Sequence, residues 1–359
     1  MRIAMLGHKR MPSREGGVEV VVEELSTRMA AMGNDVTAYS RKGHNVAGSE
    51  YDAETVTDYK GVKVREVATL DIRGLAAATS SYFATKAAVK DRPDVIHFHA
   101  EGPCVMIGLA KRAGIKTVAT IHGLDWKRSK WGKIGRFYIK LGEKIAAKKA
   151  DEIIVLSESV ADYFKSEYDR DTTFIPNAVS LGCPVPPKQI LAKYKLDKDS
   201  YVLYLGRIVP EKGIHYLIEA FSKIGTDKRL VIAGGSSDSA SYFEKIKNMA
   251  ANDERVIFTG FVSGSVLNEL YSNASIYVLA SDLEGMPMSL LEAMSFGLCC
   301  VTSDIPECAS VIQEVGFTFL NGDINSLQTV LSRLLESRVL RQSAGNMALN
   351  KVETSFDWD

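Results

Sequence analysis

Short apolar runs, each closed by glycine or a polar turn, alternate along the chain with longer stretches whose apolar residues recur at helical spacing. Residues 2–7 read as a buried strand. Val18, Val21, Val22, Leu25, Met29 and Met32 fall on one helical face before Gly33 stops it, which predicts a helix over 18–32. The same alternation predicts strands over 61–67, 95–98, 116–121, 151–156 and 172–175, with helices over 73–90 and 160–168. In the second half, strands are expected over 201–205, 229–233, 256–259, 274–280 and 298–302. A helix is expected over 214–224, and another between Pro287, which suits a first helical turn, and Gly297, which ends it. Strand and helix in turn imply parallel sheets covered on both faces, the doubly wound α/β class.

With 359 residues the chain is long for one core and suits two domains, expected at 1–179 and 201–359. The segment 180–200, with Pro184, Pro186 and Pro187, reads as the linker between them. Formal net charge is zero and the two halves differ only slightly in sign, so no nucleic-acid footprint is indicated, and no zinc-ligand spacing, arginine-rich arm or recognition-helix pattern occurs. No apolar run approaches the roughly 20 residues of a membrane span, and the opening MRIAMLGHKR lacks the features of a signal peptide. A cytoplasmic protein is expected. Cys104, Cys183, Cys299, Cys300 and Cys308 contain no Cys-x-x-Cys pair and are expected to be buried, reduced thiols.

Candidate chemistry gathers where strands end. The stretch SDLEGMPMSLLEAMSFG places Glu284 in a turn and Glu292 inside the following helix. Met288, Ser289 and Leu290 stand at that helix start, where backbone N–H groups are unpaired and suit an anion. Ionised carboxylates only accept hydrogen bonds, so Glu284 and Glu292 suit sugar hydroxyls, or else they complement the helix dipole. In GRIVPEKG, Arg207 and Lys212 sit between a strand end and a helix start. They can neutralise a diphosphate, or form surface ion pairs. Gly16 and Gly17 precede the first helix in GHKRMPSREGG, where a diphosphate could approach the main chain or a turn needs glycine. That string is not the Gly-x-Gly-x-x-Gly of a dinucleotide site. Gly260 and Val262 follow another strand. His99 and His122 lie just beyond strand ends, placed either for a ligand or for packing.

Taken together, EGMPMSLLEAMSFGLCCVTSD, GRIVPEKG, the His122-Gly123 strand end and PNAV at 176–179 resemble the family 4 retaining glycosyltransferases, the glycosyl transferases group 1. The resemblance covers nearly the whole chain. It implies the GT-B fold, two Rossmann-like domains facing across a cleft, with the acceptor side in the first and the nucleotide sugar in the second. It implies that Arg207 and Lys212 bind the donor's phosphates, Glu292 the ribose, and Glu284 and His122 the transferred sugar. Gly16 and Gly17 would face the diphosphate, and the turn at Gly260 and Val262 the base. Ala178 stands where the family usually has glycine, and a further helix is expected beyond SFDWD. The donor would be a UDP or GDP sugar, and the acceptor a saccharide or lipid-linked hydroxyl. The opening GHKRMPSREGGVE is similar to bacterial enzymes of surface-polysaccharide assembly, rhamnosyl transferases among them. A sugar-nucleotide epimerase of the same fold and a non-catalytic sugar-nucleotide-binding module are the alternative readings.

Two further features bear on partners. Residues 127–149 hold nine basic residues and one acid, Glu143. On a helix, Lys133, Arg136, Lys140, Lys144 and Lys148 form a stripe beside Ile134, Phe137, Leu141 and Ile145. This is either an anionic-membrane surface with Trp131 at headgroup level, or the basic outer face of a core helix. The strings Asp169-Arg170-Asp171 and Asp197-Lys198-Asp199 lie in polar turns and read as turn chemistry, so no metal is expected.

Overall fold

The computed structural model describes residues 1–13, 16–42, 56–70, 75–235 and 239–358. They form two compact units, Met1–Pro176 and Asn177–Asp359. The first contains β1 (Arg2–Leu6), α1 (Gly17–Ala31), β2 (Asp35–Arg41), β3 (Asp58–Tyr59), β4 (Val62–Val67), α2 (Ala76–Asp91) and β5 (Val95–His99). It continues through α3 (Ile107–Arg112), β6 (Lys116–Ile121), α4 (Lys133–Lys149), β7 (Glu152–Val155), α5 (Glu158–Tyr168) and β8 (Thr173–Phe174). The second contains α6 (Gln189–Tyr194), β9 (Tyr201–Leu205), α7 (Ile214–Ser222), β10 (Arg229–Ala233), α8 (Ala240–Ala250), β11 (Val256–Gly260) and α9 (Gly264–Asn273). It ends with β12 (Ile276–Leu279), α10 (Met288–Ser295), β13 (Cys300–Ser303), α11 (Pro306–Ile312), β14 (Phe317–Phe319), α12 (Ile324–Glu336) and α13 (Arg338–Ser355).

The first sheet has the order β3-β4-β2-β1-β5-β6-β7-β8 and is parallel except for the β3–β4 pair. The second has the order β11-β10-β9-β12-β13-β14 and is parallel throughout. Helices cover both faces, so the central strands are buried almost residue for residue, as in Tyr201–Tyr204 and Ile276–Leu279. In each sheet the winding reverses once, between β1 and β5 in the first unit and between β9 and β12 in the second. Chain segments leaving these neighbouring strands diverge to opposite faces, which opens a crevice at their carboxyl ends. Every candidate residue except Gly260 and Val262 follows one of these four strands or β6 beside them, save His99, expected just beyond a strand and instead the last residue of β5.

The periodicity places the elements well, with differences that have physical causes. The helix expected over 73–90 is described from Ala76, residues 73 and 74 lying outside the described residues. The proline-rich stretch 180–200 is fastened to the second unit and carries α6. Glu269 Oε2 accepts from the Lys188 and Ile190 amides (2.9 and 3.0 Å), and Ser272 Oγ accepts from Val185 N–H. Its prolines remove donors, but the amides of Val185, Lys188 and Ile190 find acceptors on α9. Cys183 in this stretch is exposed rather than buried, whereas Cys104, Cys299, Cys300 and Cys308 are buried free thiols.

Candidate active site

In the second unit, two loops meet over the β9/β12 crevice. After β9, Ile208 and Val209 are buried, and the intervening turn leaves Arg207 half-exposed at the rim. Among the described residues the Arg207 guanidinium has no hydrogen-bond or ion-pair partner. Gly213 has φ +61°, and a Cβ there would stand 1.8 Å from the Ala280 carbonyl oxygen, so only glycine lets this loop press against the end of β12. The Asp282 amide then donates to Glu211 O (2.9 Å). The lacing brings Lys212 Nζ to 2.5 Å from Glu284 Oε1, and the Ser281 hydroxyl donates to the same oxygen (2.6 Å).

Helix α10 starts behind this pair. Pro287 is its N-cap with extended backbone, and the amides of Met288 and Ser289, its first two residues, have no intrahelical acceptor. Ser289 Oγ accepts from the Tyr277 hydroxyl (2.8 Å), and Glu292 Oε2 accepts from the Tyr271 hydroxyl (2.9 Å). Burial holds both phenols far above their ordinary ionisation range, so they remain donors. Leu290 contributes differently from the expectation. Its amide donates to Pro287 O and its side chain is fully buried, which makes it core rather than ligand surface. Met288 is also buried. Gly260 closes β11, two strands from β9, at φ +73°, and Val262 is half-buried beyond it. Gly234 N–H donates to Gly260 O, and a Cβ on Gly234 would stand 1.8 Å from Gly206 O, so these three strand ends abut.

The first unit builds a histidine cluster at the β1/β5 crevice. Gly7, at φ +108°, lets β1 approach β5 so closely that a Cβ would be 2.2 Å from His99 O. His99 Nδ1 lies 3.0 Å from His122 Nε2, His97 stacks on His99 with centroids 4.2 Å apart, and His97 Nε2 bonds Thr120 Oγ1 (2.7 Å). Burial lowers His8 and His122 to about 4 and His97 to about 3, and holds His99 well below its ordinary value, so all four are neutral at pH 7. Ala100, next in the chain, has φ +71°, a conformation costly for a residue with a Cβ. Glu101 Oε1 accepts from Asp125 N–H (2.9 Å) and steadies the loop after His122. Burial, then the Asp125 charge, pushes the Glu101 carboxyl well up. Gly16 is the N-cap of α1 and Gly17 its first residue. The Glu19 carboxylate lies over Gly16 and accepts from Lys9 N–H (3.0 Å), so an acid of the chain already stands at this helix start.

Two family models account for nearly the whole chain: Glycosyltransferase Family 4 over residues 15–182 and Glycosyl transferases group 1 over residues 188–351. The chain belongs to these glycosyltransferases. A capsular polysaccharide biosynthesis glycosyltransferase, CapM of Staphylococcus aureus, is 27% identical over 289 residues, 73% of this chain and 75% of that one. Sucrose-phosphate synthase from Thermosynechococcus elongatus superposes with a TM-score of 0.84 at 20% identity, covering 99% of this chain and 95% of that one. Anabaena Alr3699/HepE, solved with UDP and glucose, superposes with a TM-score of 0.79 at 16% identity, covering 100% and 96%. The fold of this glycosyltransferase is thus GT-B, each unit a doubly wound Rossmann-like domain.

Sequence reasoning missed the supporting tyrosines of the glycosyltransferase, Tyr271 and Tyr277. The available signal for Tyr277 was a phenol inside an otherwise apolar buried strand, IYVL, because a buried hydroxyl needs a partner. Asp169 and Asp171 pair with Lys165 at the exposed end of α5, and Asp199 pairs with both Lys228 and Arg341, tying α13 to the sheet. Among the described residues no group of three or more His, Cys, Asp or Glu is placed to hold a metal ion.

Helix α4 shows an unusual outer face. Ile134 is 86% and Phe137 70% exposed, Leu141 is exposed beside them, and Lys133, Arg136, Lys144 and Lys148 flank them. Lys140 departs from the expected stripe. It turns inward to Glu143, the Tyr163 hydroxyl and the Trp126 ring. Trp131 also departs, folding against Gly135 with its Nε1 buried. Among the described residues no helix is long and apolar enough to cross a membrane.

Proposed function

We propose that this glycosyltransferase moves a sugar from a UDP- or GDP-type donor to a hydroxyl of a saccharide or lipid-linked acceptor, with retention of anomeric configuration and without a metal ion. The observation that carries the reading is the Lys212–Glu284 pair, held at the crevice of the second unit where Gly213 presses against the end of β12. Negative charge grows on the leaving diphosphate as the glycosidic C–O bond breaks, and fixed cations with α10 amides stabilise it most at that moment. The Arg207 guanidinium, without a partner among the described residues, suits this task. Lys212 shares its charge between Glu284 and a phosphate oxygen.

Glu292, steadied by Tyr271, accepts from ribose hydroxyls, Glu284 accepts from the transferred sugar, and the strand-end turn at Gly260 and Val262 receives the base. In the first unit, Gly16 and Gly17 offer main chain to the donor and His122 a ring nitrogen to a sugar hydroxyl. The anomeric centre passes through an oxocarbenium-like state. The new C–O bond forms on the face the diphosphate leaves, and the leaving phosphate oxygen takes the acceptor's proton. UDP in the HepE structure favours a UDP sugar. The experiment is a panel of UDP and GDP sugars scored by thermal shift and by product. A glycoside of unchanged anomeric configuration, formed equally in EDTA, is expected. An inverted glycoside, or a new sugar nucleotide without glycoside, overturns the reading.

The basic and apolar face of α4 supports a second element of the proposal: the enzyme works at the inner face of the membrane. Ile134 and Phe137 enter the headgroup region while Lys133, Arg136 and Lys144 meet anionic lipid.

A further inference from the structure

We infer that His99 is a positioning residue that fixes the tautomer of His122: its Nδ1–H donates to His122 Nε2, so that His122 presents Nδ1–H as a hydrogen-bond donor. The contact of 3.0 Å between these nitrogens requires one proton between them, and two arrangements satisfy it. Burial keeps both rings neutral at pH 7, so each carries a single N–H. In one arrangement His99 donates and its Nε2 is a bare lone pair. In the other His122 donates, and the only proton of His99 sits on Nε2.

His99 Nε2 is buried with no hydrogen-bond partner among the described residues. An orphaned N–H in that position costs more than an orphaned lone pair. The first arrangement therefore prevails. The ring of His99 is held for it from several sides. His97 stacks on it and is itself tied to Thr120, and Gly7 packs directly on the His99 carbonyl. The bond to His99 is the one the His122 ring makes among the described residues, so Nδ1 is the atom left for a ligand.

The consequence, which rests on His122 meeting the sugar, is that His122 donates to a sugar oxygen and takes no proton at Nδ1. Its contribution is orientation and a fixed dipole rather than base catalysis. Only six histidines occur in the chain, so their ring nitrogens can be resolved individually by two-bond 1H–15N correlation. His122 in the wild type is expected to show the Nδ1–H pattern. His99→Leu should return it to the Nε2–H tautomer that free neutral histidine favours, while His99→Asn, whose amide can donate from nearly the same place, should restore Nδ1–H. Turnover should fall about tenfold in His99→Leu, the worth of one neutral hydrogen bond, and recover in part in His99→Asn. An Nε2–H pattern in the wild type, or an unchanged His122 spectrum in a folded His99→Leu, overturns the inference. A changed tautomer with unchanged turnover upholds the inference and removes His122 from the sugar site.

Discussion

Lys212 and Glu284, expected to serve phosphate and sugar separately, form an ion pair with Nζ 2.5 Å from Oε1 and side chains only 13% and 8% exposed. Neither charge can be removed alone without stranding the other. Lys212→Ala and Glu284→Ala should each lower unfolding free energy by roughly 3 kcal/mol, as for other buried pairs. Each should also cost about a hundredfold or more in turnover. The double variant Lys212→Met/Glu284→Gln should regain most of the stability and none of the turnover. Recovered turnover in the double variant would show that the pair serves only the fold.

The Tyr271 hydroxyl donates to Glu292, the carboxylate proposed for the ribose, and ties it to a core phenol. Glu292→Ala should weaken UDP binding by roughly tenfold to a hundredfold, the range for hydrogen bonds to a charged group. Tyr271→Phe should weaken it less. Titration calorimetry with UDP measures both, and equal affinity in all three proteins would remove Glu292 from the nucleotide site.

Gly213→Ala adds a methyl group 1.8 Å from Ala280 O at φ +61°. The left-handed backbone alone costs about 1 kcal/mol, and the clash forces the two loops apart. Donor KM should rise more than the thermal midpoint falls, because Lys212 and Glu284 lose register at the rim. A lowered midpoint with unchanged KM would separate this glycine from the site.

Acid should destabilise the first unit through its histidines. His8 and His122 are lowered to about 4 and His97 to about 3 in the fold, against about 6.5 in the unfolded chain. Below pH 6.5 the unfolded state therefore binds more protons, and stability falls as pH drops toward 4 and on toward 3. Each unit of displacement is worth roughly 1.4 kcal/mol. Urea midpoints should be flat above pH 7 and fall steeply below 6, and His97→Phe should flatten that slope. The same slope in the variant would assign the acid lability to other groups.

Ile134→Ser/Phe137→Ser removes the most exposed apolar side chains of α4 and leaves every basic residue. Sedimentation with anionic vesicles should fall several-fold while turnover on a soluble acceptor stays the same. Equal recovery of the wild type on neutral and anionic vesicles would end the membrane proposal.

Alternating short apolar runs and helical stripes determined the two parallel α/β units, because burial on both sheet faces leaves an unmistakable period in the chain. Local composition determined the candidates too: Arg207, Lys212 and Glu284 are charged residues in loops after strands, and Glu292 lies in the helix that follows one. What tertiary structure alone decided is which of them touch. Pairing Lys212 with Glu284 depends on β9 lying beside β12, far apart in sequence, and on Gly213 admitting an Ala280 carbonyl. The contact of His99 with His122 depends likewise on β5 and β6 being neighbours in register, His99 opposite Thr120. The inward turn of Lys140 and the exposure of Cys183 were equally hidden. Periodicity reports which face of an element is buried, whereas a side chain's partner is chosen by whatever distant segment packs against that face.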